Sequence, residues 1–453
     1  MISTGKYKLE EVIQVASKSG KLLSFLDYMT SVEPFESNLR IISTILQALN
    51  ENELLSINPM FMKLVEKYSS CHGIVADMIV RRFITTDSSV YSDLCIALVD
   101  FSSNFSLLIS NSITKFFPQT SLPHEQQIRY MNCTFHICQH DGGITMRVLS
   151  RVFQHMVALD CELLIKRSSD NTLLEISDED AGLYAPQMIM FMSFLENSSR
   201  EVFTLLLQLF DLYLLDLPST SVVQFLFFYA ASFNSELMET LVGFLLHKLI
   251  DNNTSLRARK NSALYISSLL ARAKYIDDEF SAAVVDYVEN YAICYSHHIH
   301  QEAKDLLCRN VSQHAVFYYA VQCIAYVCCW RWNSWNQNGI NPLNRWRLME
   351  LVKNELAGWT AIDKNTVEQF SIILNTDLSS NEAYIDRIDV WFPFDPCGID
   401  EISERVSPIY REWGDTQDLN DIDGILDHGI HRICANRGIS IEALMEQFVF
   451  KKN

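Results

Sequence analysis

Cys133, His136, Cys138 and His140 are spaced Cys-x-x-His-x-Cys-x-His, and of all the residues in this chain they look most like a metal site. On a helix, Cys133, His136 and His140 share a face while Cys138 points elsewhere. Four tetrahedral ligands cannot come from one and a half helical turns, so buried thiols and hydrogen-bonded histidines are the better reading. His297, His298 and His300, with Glu302 nearby, form a second cluster. It reads as a solvated loop after a helix, with a transition-metal or pH-sensitive site as the alternative. There is no Gly-rich phosphate loop, no Gly-x-Gly-x-x-Gly turn and no Gly-x-Ser-x-Gly elbow. No catalytic residue, cofactor or metal is expected.

Serines are more suggestive. Ser88, Ser89, Ser92, Ser102, Ser103 and Ser106 gather around one expected helix. Two compatible readings follow: N-caps where helices begin, or a surface that phosphorylation switches by adding about −1.5 to −2 charges. Arg257, Arg259 and Lys260, followed by Arg272 and Lys274, are the main basic cluster. They read as a solvated helix face, or as a docking patch for an acidic protein surface.

Such groups must be held by something, and the composition says helices. Gly (14) and Pro (10) are scarce among 453 residues, against a combined average usage of roughly 12%. A β-rich chain needs more turn residues than that. Apolar residues recur at helical spacing over Val90–Phe101, Phe105–Phe117, Gln126–Cys138, Ile144–Leu159, Glu201–Leu215, Ser221–Phe233 and Ser235–Ile250. Breakers such as Glu33-Pro34, Asn58-Pro59, Pro118, Asp141-Gly142-Gly143, Pro218 and Asp251-Asn252-Asn253 punctuate them. Helix, short loop, helix at this spacing predicts an all-α, HEAT-repeat-like α-solenoid.

The expected organisation is helical repeats over 1–165, a polar loop over 166–183, further repeats over 184–376, and a terminal region over 377–453. That last region packs on the same solenoid and ends in short helices near Ile422–Cys434 and Ile439–Phe450. Asn333–Leu343 is expected to be a second loop. The uncharged run from Asn310 to Trp330 is long enough for a membrane span, but Gln322 interrupts it and a buried core helix fits better. A net charge of −19 with no long basic tract argues against direct nucleic-acid binding. Twelve cysteines without a Cys-x-x-Cys pair, and no apolar leader, imply a reducing compartment.

The stretch Trp391-Phe392-Pro393-Phe394-Asp395-Pro396-Cys397 breaks the helical pattern. Its prolines exclude an ordinary helix, yet its aromatic side chains demand burial. It is therefore expected to be an irregular strap laid on an apolar surface.

Four ordered blocks carry a resemblance. They are Val223–Phe233, Tyr265–Ile276, Phe317–Arg331, and the strap Phe392–Cys397 with Pro408-Ile409-Tyr410. Together they resemble the RNA polymerase I-specific transcription initiation factors, also called transcription intermediary factor IA. The resemblance implies a HEAT-repeat fold without catalysis, acting in the nucleus and nucleolus. It implies binding to RNA polymerase I at the stalk and the dock region of the largest subunit, and bridging to a promoter-bound core factor. It also implies a phospho-regulated serine patch facing the polymerase, for which Ser88, Ser89, Ser102 and Ser103 are the candidates by region. Phe392, Pro393, Phe394, Asp395, Pro396 and Tyr410 are the structural signature. The chain departs from the family at Gly398–Glu401, where a basic stretch is usual. A homodimer is left open by apolar solenoid faces, and a generic HEAT-type scaffold or transport adaptor is the rival reading.

Overall fold

The computed structural model describes residues 65–413, except 67–68, 70–71, 86–88, 170–177, 303–310, 355, 377 and 379–386. The short helices expected near Ile422–Cys434 and Ile439–Phe450 lie outside the described residues, as does everything before residue 65. The described helices are α1 (His72–Arg81), α2 (Val90–Phe101), α3 (Asn104–Lys115), α4 (His124–His140), α5 (Gly142–Ser169), α6 (Asp178–Glu196), α7 (Arg200–Tyr213) and α8 (Phe225–Ala231). They continue with α9 (Ser235–Ile250), α10 (Leu256–Arg272), α11 (Asp278–Glu302), α12 (Ala315–Gln337), α13 (Pro342–Arg345), α14 (Leu348–Lys353), α15 (Lys364–Ile373) and α16 (Asp400–Val406). Among the described residues β-structure is limited to an isolated antiparallel bridge between Ala273 and Tyr410. No described helix is long and apolar enough to cross a membrane.

The chain divides into two compact units. The first comprises Met1–Glu162 with Ile176–Leu206, the second Leu163–Glu175 with Leu207–Asn453. In the first, α1 packs on α3, α2 on α4, and α4 on α6, the stacking of an α-helical repeat. Tyr130 of α4 anchors this core. Its ring meets Phe83 at 5.4 Å and Phe117 at 5.3 Å, and its hydroxyl donates to the Ile113 carbonyl at 2.8 Å. On α4's other side Phe135 meets Phe191 and Phe194, each at 5.2 Å.

Within the same unit His155 is 1% exposed. Gln187 fixes its tautomer: the Gln187 amide nitrogen donates to the Leu183 carbonyl, so its oxygen must accept from His155 Nε2, at 3.1 Å. Burial, with nearby Arg151, pushes the imidazole down to about 4. The unfolded chain therefore binds a proton below about 6.5 that the folded chain refuses. The first unit should hold its full stability above that pH and lose up to about 3 kcal/mol as the pH falls toward 4. Urea titrations followed by far-UV circular dichroism should show that loss, and His155→Gln should flatten it.

In the second unit α9 packs on α10, α10 and α11 on α12, and α12 on α15. The apolar run read as a core helix is α12, and its residues Ala315–Cys328 are all buried. It continues beyond the expected start of a loop at Asn333, because Trp335 is itself core (0% exposed) and bonds Ser281 and the Asp278 carbonyl. It ends at Gly339, which takes φ +78°. There the Ile340 N–H returns to the Trp335 carbonyl at 2.8 Å and the Gly339 N–H to Asn336 at 3.2 Å, a Schellman closure. Helices also enter both ends of the loop expected over 166–183, since α5 runs to Ser169 and α6 begins at Asp178.

Candidate functional site

The four sequence blocks, spread from Val223 to Tyr410, meet at one place in the second unit. Phe394 is 1% exposed. Its ring lies 5.7 Å from Phe225 and 5.0 Å from Phe228 of α8, and 5.8 Å from Tyr265 of α10. Prolines leave the strap backbone without helical partners, and side chains replace them. Gln224 donates to the Pro393 carbonyl at 2.7 Å, Ser268 accepts from the Phe394 N–H at 3.0 Å, and the Tyr410 hydroxyl donates to the Phe394 carbonyl at 2.8 Å. Phe392 stacks on Tyr326 at 4.2 Å, and Trp413 meets Trp330 edge-on at 4.6 Å. The strap is irregular and packed on an apolar surface, as expected.

Arg272 sits at the centre of this junction. Its guanidinium lies 4.1 Å over the Trp330 ring, 5.4 Å from the Tyr410 ring, and 2.7 Å from the Asp395 carboxylate. It is only 9% exposed. The expectation that Arg272 belongs to a surface docking patch is therefore corrected: its charge is taken up by the strap. Where α10 ends, the segment after α16 supplies backbone partners. The Lys274 N–H donates to Ile409 at 2.9 Å and the Arg411 N–H to the Arg272 carbonyl at 2.6 Å.

The remaining basic candidates are spread along α10. Arg257 is exposed and reaches the Asp216 carbonyl at 3.3 Å. Arg259 is half-buried between the Leu249 carbonyl (2.9 Å) and the Tyr291 hydroxyl (3.0 Å). Lys260 lies 5.4 Å over the Tyr319 ring, and Lys274 is exposed beyond the helix end.

A residue given no role from the sequence turns out to matter most here. Arg331 of α12 is fully buried. It donates to the carbonyls of Leu270 (2.8 Å), Ala273 (3.2 Å) and Ile276 (3.0 Å), and pairs with Asp278 at 2.9 Å. A cation thus caps the C-terminus of α10, where unpaired carbonyls and the helix dipole favour positive charge. The signal was available, since Arg331 is a charge set between Trp330 and Trp332 in an otherwise uncharged run.

In the first unit the serines occupy both ends of α2. Ser89 is exposed at its start, and Ser102 and Ser103 lie beyond its end. Twelve residues of helix separate these ends by about 18 Å. Ser88 lies outside the described residues. Ser89 and Ser103 hold the N-cap positions of α2 and α3, but neither side chain makes a cap bond. The capping reading is thus right in place and wrong in bonding: Ser89 Oγ turns to Asp93 at 2.8 Å instead. Ser92 is buried against His136 (2.9 Å), and Ser106 donates to Asp141 at 2.6 Å.

Cys133, His136 and His140 do share a face of α4, toward α2. His136 reaches Ser92 and His140 reaches Asp100 at 2.9 Å. Burial pushes the Cys133 thiol up to about 11 and Cys138 up to about 12, the reverse of what a thiolate ligand needs. His297 pairs with Glu350 at 2.6 Å, and the side chains of His300 and Glu302 lie outside the described residues. Among the described residues no group of three or more His, Cys, Asp or Glu is placed to hold a metal ion.

Residues 184–358 match the family described as RNA polymerase I specific transcription initiation factor RRN3. The chain is similar to the RNA polymerase I-specific transcription initiation factor rrn3 of Schizosaccharomyces pombe, 28% identical over 221 residues, 44% of this chain and 36% of that protein. It is likewise similar to RRN3 of Mus musculus, 26% identical over 248 residues, 48% of this chain and 38% of that protein. Both matches span well under half of the relatives' length. In fold it resembles the crystal structure of RNA polymerase I transcription initiation factor Rrn3. The TM-score is 0.69 at 16% identity, covering 88% of this chain and 90% of the other.

Proposed function

We propose, from a chain that is of the RNA polymerase I-specific transcription initiation factor family, that it is a non-enzymatic initiation factor for ribosomal RNA genes. In this reading it works in the nucleus and nucleolus, binds RNA polymerase I at the stalk and the dock region of the largest subunit, and bridges it to promoter-bound core factor. One observation carries the reading. The family match over residues 184–358 takes in α8, α10 and α12, the three helices that together seat the strap. The relatives are named as transcription initiation factors, which supports a non-enzymatic role, and broad helical faces suit it. With a net charge of −19, acidic faces would meet basic partner surfaces and set encounter rate and salt sensitivity.

Purified chain should retain RNA polymerase I, stalk subunits included, in a co-purification assay. Capture of transport cargo without polymerase would instead favour the adaptor reading. Regulation belongs to the same proposal. A phosphate at Ser102 or Ser103 would sit beside Asp100 and the exposed Phe101, disrupting a contact by repulsion and desolvation. Ser102→Asp with Ser103→Asp should weaken polymerase retention about tenfold, the effect of losing one well-placed contact. Unchanged retention would count against the switch. Arg257, Arg259, Lys260 and Lys274 are proposed as a secondary contact for an acidic partner face.

A further inference from the structure

Among its described residues the first unit exposes three large apolar side chains, Phe101 (43%), Leu107 (45%) and Met146 (45%). All three sit at one end of the unit, at the α2–α3 and α4–α5 turns. Two bonds tie these turns together, and a third closes the α4–α5 turn. His140, the last residue of α4, meets Asp100 at 2.9 Å; Ser106 in the first turn of α3 donates to Asp141 at 2.6 Å; and Asp141 accepts from the Ile144 N–H of α5 at 2.8 Å. Scattered exposed apolar side chains are ordinary, but a gathering of all of them at one end is not. Gly142 and Gly143 lie exposed between them, and a side chain added at Gly142 would meet nothing within 4 Å. A partner backbone can approach closely there.

The charge around this end says what approaches. Asp100 and Asp141 flank the apolar trio, and Asp93 lies two turns back along α2. Between residues 93 and 107, and again between 136 and 147, the one Lys or Arg is Arg147. We infer that this end of the first unit docks an apolar segment of a partner protein that also carries lysine or arginine. Phe101, Leu107 and Met146 supply the desolvated centre, and the carboxylates orient the partner from the rim. A second copy of the chain fits badly, because it would bring carboxylates against carboxylates. The inference rests on the polymerase reading only for the identity of the partner.

The test uses the full chain with purified RNA polymerase I. Phe101→Ser with Leu107→Ser changes only exposed positions and should melt as the parent does, while binding about tenfold more weakly. Met146→Ser serves as an independent variant should that pair melt lower. Asp100→Asn with Asp141→Asn should weaken binding about threefold at low salt and not at about 0.5 M, where screening is short-ranged. Polymerase binding within twofold of the parent for both serine variants overturns the inference and leaves the polymerase reading standing. If the parent binds no polymerase, that reading fails, and a helical Leu/Lys peptide becomes the probe. Binding that drops about tenfold in the serine variants then supports the docking surface. Equal binding, or preference for a Leu/Glu peptide, overturns it.

Discussion

Arg331→Met is expected to lower the stability of the second unit by about 3–5 kcal/mol, the cost of removing one partner from a buried ion pair. Lost hydrogen bonds place it at the upper end of that range. Three carbonyls at and just past the end of α10 lose their donor together with Asp278, and each unpaired buried acceptor carries a penalty of about 1–3 kcal/mol. Asp278 keeps Ser334 and Asn338 (2.6 Å), which soften its exposure to an apolar surround. Arg331→Lys retains the charge but not the planar fork that reaches several carbonyls at once, so it should recover only part of the loss.

The measurement is selective, because all seven tryptophans (330, 332, 335, 346, 359, 391 and 413) fall in the second unit. Urea unfolding followed by tryptophan emission therefore reports that unit alone. A shift below 1 kcal/mol would show that Arg331 is not an anchor. Acid should act on the same network. Burial raises the Asp278 carboxyl, but hydrogen bonds from Ser334, Asn338 and Arg331 outweigh it and leave it below its usual value. Its contribution is then present at neutral pH and is lost only as the pH falls through that lowered value.

What could be read from the sequence divides along physical lines. Helices α2 and α9 were legible to the residue, since apolar periodicity and end signals agree there. Asn234, for example, accepts the Leu237 N–H at 2.9 Å to start α9. Helix α5 was cut short at Leu159 because the polar Asp160 interrupts the apolar period, whereas Asp160 is itself buried, Leu163 resumes the buried face, and the helix runs to Ser169. The opposite error came at Ser221–Phe233, where only Phe225–Ala231 is α-helical. A segment apolar on every side has no period, and Val222 and Val223 instead accept short-range turn bonds. The serine cluster was legible as residues, but its two halves lie at opposite ends of α2. The strap was legible as a strap. Its seat was not, because Gln224 and Pro393 are 169 residues apart and no local pattern records such a contact. Only the resemblance, by choosing the blocks that meet there, pointed to the junction before the fold did.

That junction should fail most visibly at Phe394. Phe394→Ala is expected to cost about 3–5 kcal/mol, the range for deleting a fully buried aromatic ring from a core that cannot collapse around the void. Collapse is hindered here because the strap backbone is pinned on both sides of the ring, by Gln224 at Pro393 and by Ser268 and Tyr410 at Phe394 itself. The rings of Phe225, Phe228 and Tyr265 would lose their shared neighbour at once. Asp395→Asn separates packing from charge. The Asp395 side chain is 49% exposed, so its pair with Arg272 is partly screened and its loss should cost no more than about 1 kcal/mol. Trp391 meets Tyr265 edge-on at 5.6 Å, and its emission should shift toward that of a solvated indole in Phe394→Ala and stay put in Asp395→Asn. If the two variants lost equal stability, the strap would be held by its salt bridge, and the aromatic packing would be a consequence of docking rather than its cause.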